Sequence, residues 1–164
     1  MSRIKLFYYI FISLILVIFN SGFLFADPQP PKTIKHPKSN CIVTASGGEY
    51  PLYVVKKAGE VIYAPISDGI TKALFSPSGE YIAFFGSEID WVDIKDKAFS
   101  IVVLKCSSGE LNGFEKGYPG IDTKWLDNMT IQYDDTFSGN EITVKIVRKD
   151  NNSFHLTEDT QPAD

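Results

Sequence analysis

The side chains in this sequence best suited to chemistry are carboxylates interleaved with aromatics. Glu88, Asp90, Trp91, Asp93 and Asp96 fall in one short stretch, and Tyr118, Asp134, Asp135 and Phe137 in two others. Clustered carboxylates can hold calcium, but the stretch from Glu88 to Asp96 lacks both the loop spacing and the central glycine of an EF-hand. Aromatic anchors inside a charged rim suit a protein or peptide partner, because Trp and Tyr are enriched where binding energy concentrates. The competing reading is a solvated acidic loop with Trp91 folded over a sheet as a lid. As a candidate partner-binding set, Glu88, Asp90, Trp91, Asp93, Tyr118, Asp134, Asp135 and Phe137 carry no metal in this reading.

Catalytic constellations find little support in the residues. The chain has no G-x-S-x-G elbow, no G-x-x-x-x-G-K-[ST] and no G-x-G-x-x-G, so an activated serine and the common phosphate cradles are missing. His36 stands beside Pro37 in a proline-rich segment, with no second ligand type at a metal-binding spacing. His155 alternates with Phe154 and Leu156, which puts it on the polar side of a strand. A non-catalytic protein without cofactors is expected. Cys41 and Cys106 permit one intramolecular disulfide, with two buried free thiols as the alternative.

Those residues need strands to position them. From Ile70 to Leu111 the chain reads as apolar run, Ser76-Pro77-Ser78-Gly79 turn, second apolar run, then a third run from Phe99 to Cys106 closed by Ser107-Ser108-Gly109. A short fourth strand is expected between Glu110 and Phe114, and four short strands in a meander make one propeller blade. Upstream, CIVTAS, PLYVVKK and EVIYAPI read as a blade lacking its first strand; downstream, IDTKWLD, MTIQYDD, NEITVKIVRK and NSFHLTE make a second full set. Tyr81 to Phe85 and Ile101 to Leu104 are apolar at every position, which a strand requires only when covered on both faces. Ile142, Val144 and Ile146 alternate with Thr143, Lys145 and Val147, as in a sheet with one wet side. The expected fold is all-β, a partial propeller-like stack of two to three four-stranded antiparallel meander blades.

In such a blade the loop between its second and third strands and the connector to the next blade emerge on one face. That face gathers residues 87–98, Lys116 to Gly120, and Asp134 to Asn140, and so the acidic and aromatic candidates above.

The 164 residues carry a net charge of −4, with 44% hydrophobic and 13% aromatic residues, enough for one packed domain and not for global disorder. Nothing is strongly basic, which disfavours nucleic acid as a partner. Arg3 and Lys5 precede an apolar run from Leu6 to Phe19, a polar break at Asn20-Ser21-Gly22, and Ala26 before Asp27-Pro28. This reads as a signal peptide cleaved after Ala26, with an uncleaved membrane anchor as the alternative. Without Arg3 and Lys5 the mature chain keeps 14 of its 16 basic side chains against 20 acidic ones, a net charge of −6. The expected division is leader 1–26, a Pro/Lys-rich extended tether 27–40 outside any sheet, the propeller-like domain 41–157, and a disordered acidic tail 158–164.

The segment Ala73-x-Phe75-Ser76-Pro77-Ser78-Gly79-x-x-Ile82-Ala83-Phe84, continuing to Ile101-Val102 and Ser108-Gly109-Glu110, resembles the TolB-type propeller repeat, a relative of WD-like repeats. Lys124-Trp125-Leu126-Asp127-Asn128 and the alternation after it form a second copy without the Ser-Pro. The resemblance implies a protein-binding or scaffolding module of the periplasm or envelope, or one secreted. Rings in that family need more blades than this chain holds, so either an open stack or a homo-oligomer completing a ring is expected. The alternative is a secreted hydrolase inhibitor or enzyme accessory on a compact β-barrel.

Overall fold

Runs of β-branched and aromatic residues alternate along the chain with clusters of Gly, Pro, Ser and Asp, and each run forms a strand. The structure, a computed structural model, describes residues 30–47, 51–63, 69–91, 94–150 and 153–159, with the backbone alone for residues 87, 88, 90, 91 and 94–98. The expected leader 1–26 and residues 160–164 of the expected tail lie outside the described residues.

Among the described residues, twelve strands form three four-stranded antiparallel meanders, and there is no helix. The first sheet comprises β1 (Lys32–Lys35), β2 (Cys41–Ala45), β3 (Tyr53–Lys57) and β4 (Glu60–Tyr63). The second comprises β5 (Ile70–Phe75), β6 (Tyr81–Trp91), β7 (Ile94–Lys105) and β8 (Leu111–Phe114). The third comprises β9 (Lys124–Trp125), β10 (Thr130–Asp134), β11 (Glu141–Arg148) and β12 (Phe154–Glu158). No sheet closes into a barrel, so the compact-barrel alternative is set aside.

The middle sheet is covered on both faces. Ile82, Phe84, Val102 and Leu104 pack with Val43, Val55 and Tyr63 of the first sheet. Tyr81, Ala83, Phe85, Ile101 and Val103 pack with Ile131, Tyr133, Val144 and Ile146 of the third. Phe84 and Phe85 are thus neighbours in sequence and members of two different cores, because successive strand side chains point to opposite faces. In the third sheet Thr143, Lys145 and Val147 turn outward while Ile142, Val144 and Ile146 are buried, so its outer face is wet.

The β5–β6 turn shows how the repeat motif works. Tyr81 N donates to Ser76 Oγ (3.1 Å) and Gly79 N to the Ser76 carbonyl (2.8 Å), so the fully buried Ser76 closes the turn from inside. Gly79 has φ of 74°, and a Cβ there would lie 2.4 Å from His36 Nδ1, so only glycine fits.

Three expectations need correction. Residues 30–40 of the expected tether do not lie outside any sheet: Lys32–Lys35 pair with Ile42 to Ala45 and supply the first strand of the first blade. Pro31 and Pro37 flank β1 rather than interrupt it, and β1 lies at a sheet edge, where proline is tolerated. His36 is half-buried and stacks on Phe75 (ring centroids 5.7 Å) rather than being a solvated tether residue. The expected tail starts too early, since Glu158 pairs with Val144 and bonds Lys116, and Asp159 N donates to Thr143 O (2.8 Å).

Phe84→Ala and Phe85→Ala should each cost about 3–5 kcal/mol in urea unfolding, because each empties a closed core on a different side of one sheet. Val147→Ala on the wet face should stay within about 0.5 kcal/mol of wild type. A mild effect at either phenylalanine would mean that its side of the sheet is uncovered.

Candidate functional site

The connector from β8 to β9 must carry the chain from an edge strand of the middle sheet to an edge strand of the third. It crosses the end of the β10–β11 hairpin, and the two segments are locked together. Gly120 N donates to Asp134 O (2.9 Å), Thr136 N to Tyr118 O (3.0 Å), and Pro119 and Asp135 form an isolated bridge. The Tyr133 hydroxyl donates to the Lys116 carbonyl and the Ser100 hydroxyl to the Gly117 carbonyl, which pins the connector to both adjoining sheets. Gly117 has φ of 72°, and a Cβ there would meet Ile142 Cδ1 at 2.8 Å, so the crossing depends on glycine.

Asp135 organises this crossing. It is buried, and its carboxylate accepts from Tyr118 N (2.9 Å), Phe137 N (3.3 Å), Ser138 N (3.2 Å) and the Ser138 hydroxyl. The Ser138 hydroxyl, with the Tyr118, Phe137 and Ser138 amides, holds its carboxyl at about 2, below the ordinary 3.8, against the opposing effect of desolvation. Asp135 therefore belongs to the scaffold and is not an open contact residue. It stays ionised at neutral pH and has no proton to give as a general acid.

With the backbone held this way, two aromatic rings stand in solvent. Tyr118 and Phe137 meet edge to face at 4.5 Å, and they are 38% and 79% exposed. Ile121, 91% exposed, lies in the same connector, and its carbonyl accepts from Lys72 Nζ (3.2 Å). Asp134 is exposed at the end of β10. Tyr118, Phe137 and Asp134 are thus gathered at one end of the stack, as the loop argument expects. Ile121 was missed, although an aliphatic residue between Gly120 and Asp122 in a connector is itself a signal, since such a position rarely buries it.

The other half of the expected set resolves differently. Residues 87–98 are not one long loop: β6 extends to Trp91 and β7 begins at Ile94, with Asp90 opposite Ala98 and Trp91 opposite Ile94. Glu88, Asp90 and Trp91 therefore lie on the β6–β7 hairpin, and Asp93 and the side chains of Glu88, Asp90 and Trp91 lie outside the described residues. The register shifts between Phe85 and Ile89, and beyond the shift Ile89 and Phe99 are still buried in the core shared with the first sheet.

At the opposite end of the stack, Cys41 and Cys106 are both buried and both free thiols. Ion pairs and polar bonds tie the sheets together there, including Arg148 to Glu80 (2.8 Å) and Lys57 Nζ to Ser107 O (2.6 Å). His155 sits on the outer face of the third sheet opposite Val147, on the polar side as expected. Among the described residues no group of three or more His, Cys, Asp or Glu could hold a metal ion.

Because folding lowers the Asp135 pKa, its contribution to stability is complete above about 3.8 and is lost as pH falls through about 2. Asp135→Asn should lower the urea midpoint at neutral pH and flatten the acid limb between those two values. An unchanged acid limb would show that other carboxylates govern it. No protein-family model, curated protein or solved structure matches the chain.

Proposed function

We propose that this chain is an exported, non-catalytic binding or scaffolding module, periplasmic or secreted, that engages a protein partner through the connector end of an open stack of TolB-like sheets. The observation that carries the reading is the exposed Tyr118–Phe137 pair, held edge to face on a backbone that Asp135 has already immobilised. Rigid aromatics lose little entropy on binding, and exposed rings in a fixed frame are the usual anchors of a protein interface. Asp134 supplies the charged rim beside them, and the hairpin bearing Glu88, Asp90 and Trp91 is the second arm of the same reading.

The open stack is favoured over a ring shared between copies. The buried inter-sheet faces are made of Ile, Val, Phe and Tyr, whereas the outer face of the third sheet presents Gln132, Thr143 and Lys145. A face of that composition remains wet at little cost and gains little from being covered.

A photo-crosslinking residue placed at Phe137 or Ile121 in the exporting cell should give discrete protein adducts, and one placed at Val147 should give none. Partner affinity should then fall about tenfold or more in Phe137→Ala, in line with about 1.4 kcal/mol or more for an aromatic anchor. Equal adducts from all three positions, or none from Phe137 and Ile121, would remove this face from consideration.

A further inference from the structure

Cys41 opens β2 in the first sheet and Cys106 follows β7 in the second, so the two thiols lie at the same end of neighbouring sheets. Packing of those sheets through Val43, Phe84 and Leu104 brings the side chains into hydrogen-bond contact across 65 residues of sequence. Cys41 Sγ also donates to the Cys106 carbonyl (3.9 Å), and the Ser39 hydroxyl donates to Cys106 Sγ (3.5 Å). A cleft of about 380 Å³ opens beside them, with Cys106, Ser39, Lys57 and Gly79 in its wall. Cys106 reaches this wall while remaining 6% exposed, and Cys41 lies behind it at 1%.

This geometry has the parts of a thiol–disulfide exchange site: one sulfur at the floor of a cleft, a second sulfur in contact behind it, a hydroxyl donor and a nearby ammonium. We propose that Cys41 and Cys106 form a dithiol–disulfide site that accepts a small-molecule or protein disulfide at the cleft over Cys106. The hydrogen bond from Cys106 lowers the Cys41 thiol below its ordinary value, with Lys57 and Ser39 assisting and burial opposing, and the same contact raises Cys106. The pair loses its first proton as a unit, and Cys106, the sulfur that lines the cleft, attacks in the form in which the remaining proton sits on Cys41.

In the first step Cys106 Sγ bonds to one sulfur of the donor, whose S–S bond breaks and whose other half leaves as a thiol after taking up a proton. In the second, Cys41 Sγ attacks Cys106 Sγ, gives up its proton and expels the remaining half as a second thiol. Two protein thiols are oxidised by two electrons, and one donor disulfide is reduced to two thiols. The product is a covalent tie between the first and second sheets.

The test uses the full chain, reduced and then given oxidised glutathione at neutral pH without denaturant. Peptide mapping should find one intramolecular Cys41–Cys106 disulfide per chain. Cys41→Ser should retain glutathione on Cys106, and Cys106→Ser should acquire it on Cys41 at least tenfold more slowly. The proposal is overturned if both wild-type thiols stay free while circular dichroism shows the sheets intact, if the bridge forms only in urea, or if Cys41 reacts faster than Cys106. The wild-type measurement decides the matter even if a variant fails to fold.

Discussion

A sheet that is apolar on both faces cannot stand alone in water, and β6 and β7 of this protein make such a sheet. Tyr81 to Phe85 and Ile101 to Leu104 are all buried, alternating between two cores. Burying one large apolar side chain is worth about 1.5–3 kcal/mol, so leaving either face open would forfeit several such contributions at once. The first and third sheets are where they are because they cover these two faces. Neither is an independent unit, since each brings a single apolar face to the arrangement.

The two ends of the stack follow from that layering and differ in character. At the end carrying the β5–β6 turn, Ser76 closes the turn from inside, and polar groups tie sheet to sheet: Glu80 to Arg148, and Glu110 to the Phe154 amide (3.1 Å). At the other end, connectors must pass from one sheet to the next, and their carbonyls and amides need partners once water is excluded. Asp135 answers that need with a charged acceptor for three backbone amides, and the aromatic rings beside it are consequently left outside. The exposed patch and the buried carboxylate are two results of one local solution.

The stack also has to end. Polar and charged side chains alternate with core residues along β10 and β11, so the last sheet presents Gln132, Thr143 and Lys145 to solvent, with the smaller apolar surface of Val147 beside them. The Lys145–Asp159 ion pair (2.7 Å) lies on this outer side and, being exposed, contributes solubility more than stability.

Strand identity was legible along the chain because side-chain period and turn chemistry are local: Ser76 to Gly79 make their turn with their own atoms, and the double-sided run Tyr81 to Phe85 announces a covered sheet. Its cover by neighbouring blades of a stack was legible from the same run, but β1 was not, since its four residues between two prolines become a strand only because Ile42 to Ala45 offer an open edge. The candidate face was half visible. Tyr118 and Phe137 could be placed at one end from loop order alone, while Asp135 read as one more surface acid. Whether a carboxylate points to water or to three amides depends on how closely a connector passes it, and that distance is set by sheets packing across the whole chain. The same holds for Cys41 and Cys106, whose composition permitted contact and whose contact was decided by the seating of the first sheet on the second. Local chemistry writes the strands and turns; juxtaposition of distant groups belongs to the packed state, because only there is water removed and each polar group forced to find a partner.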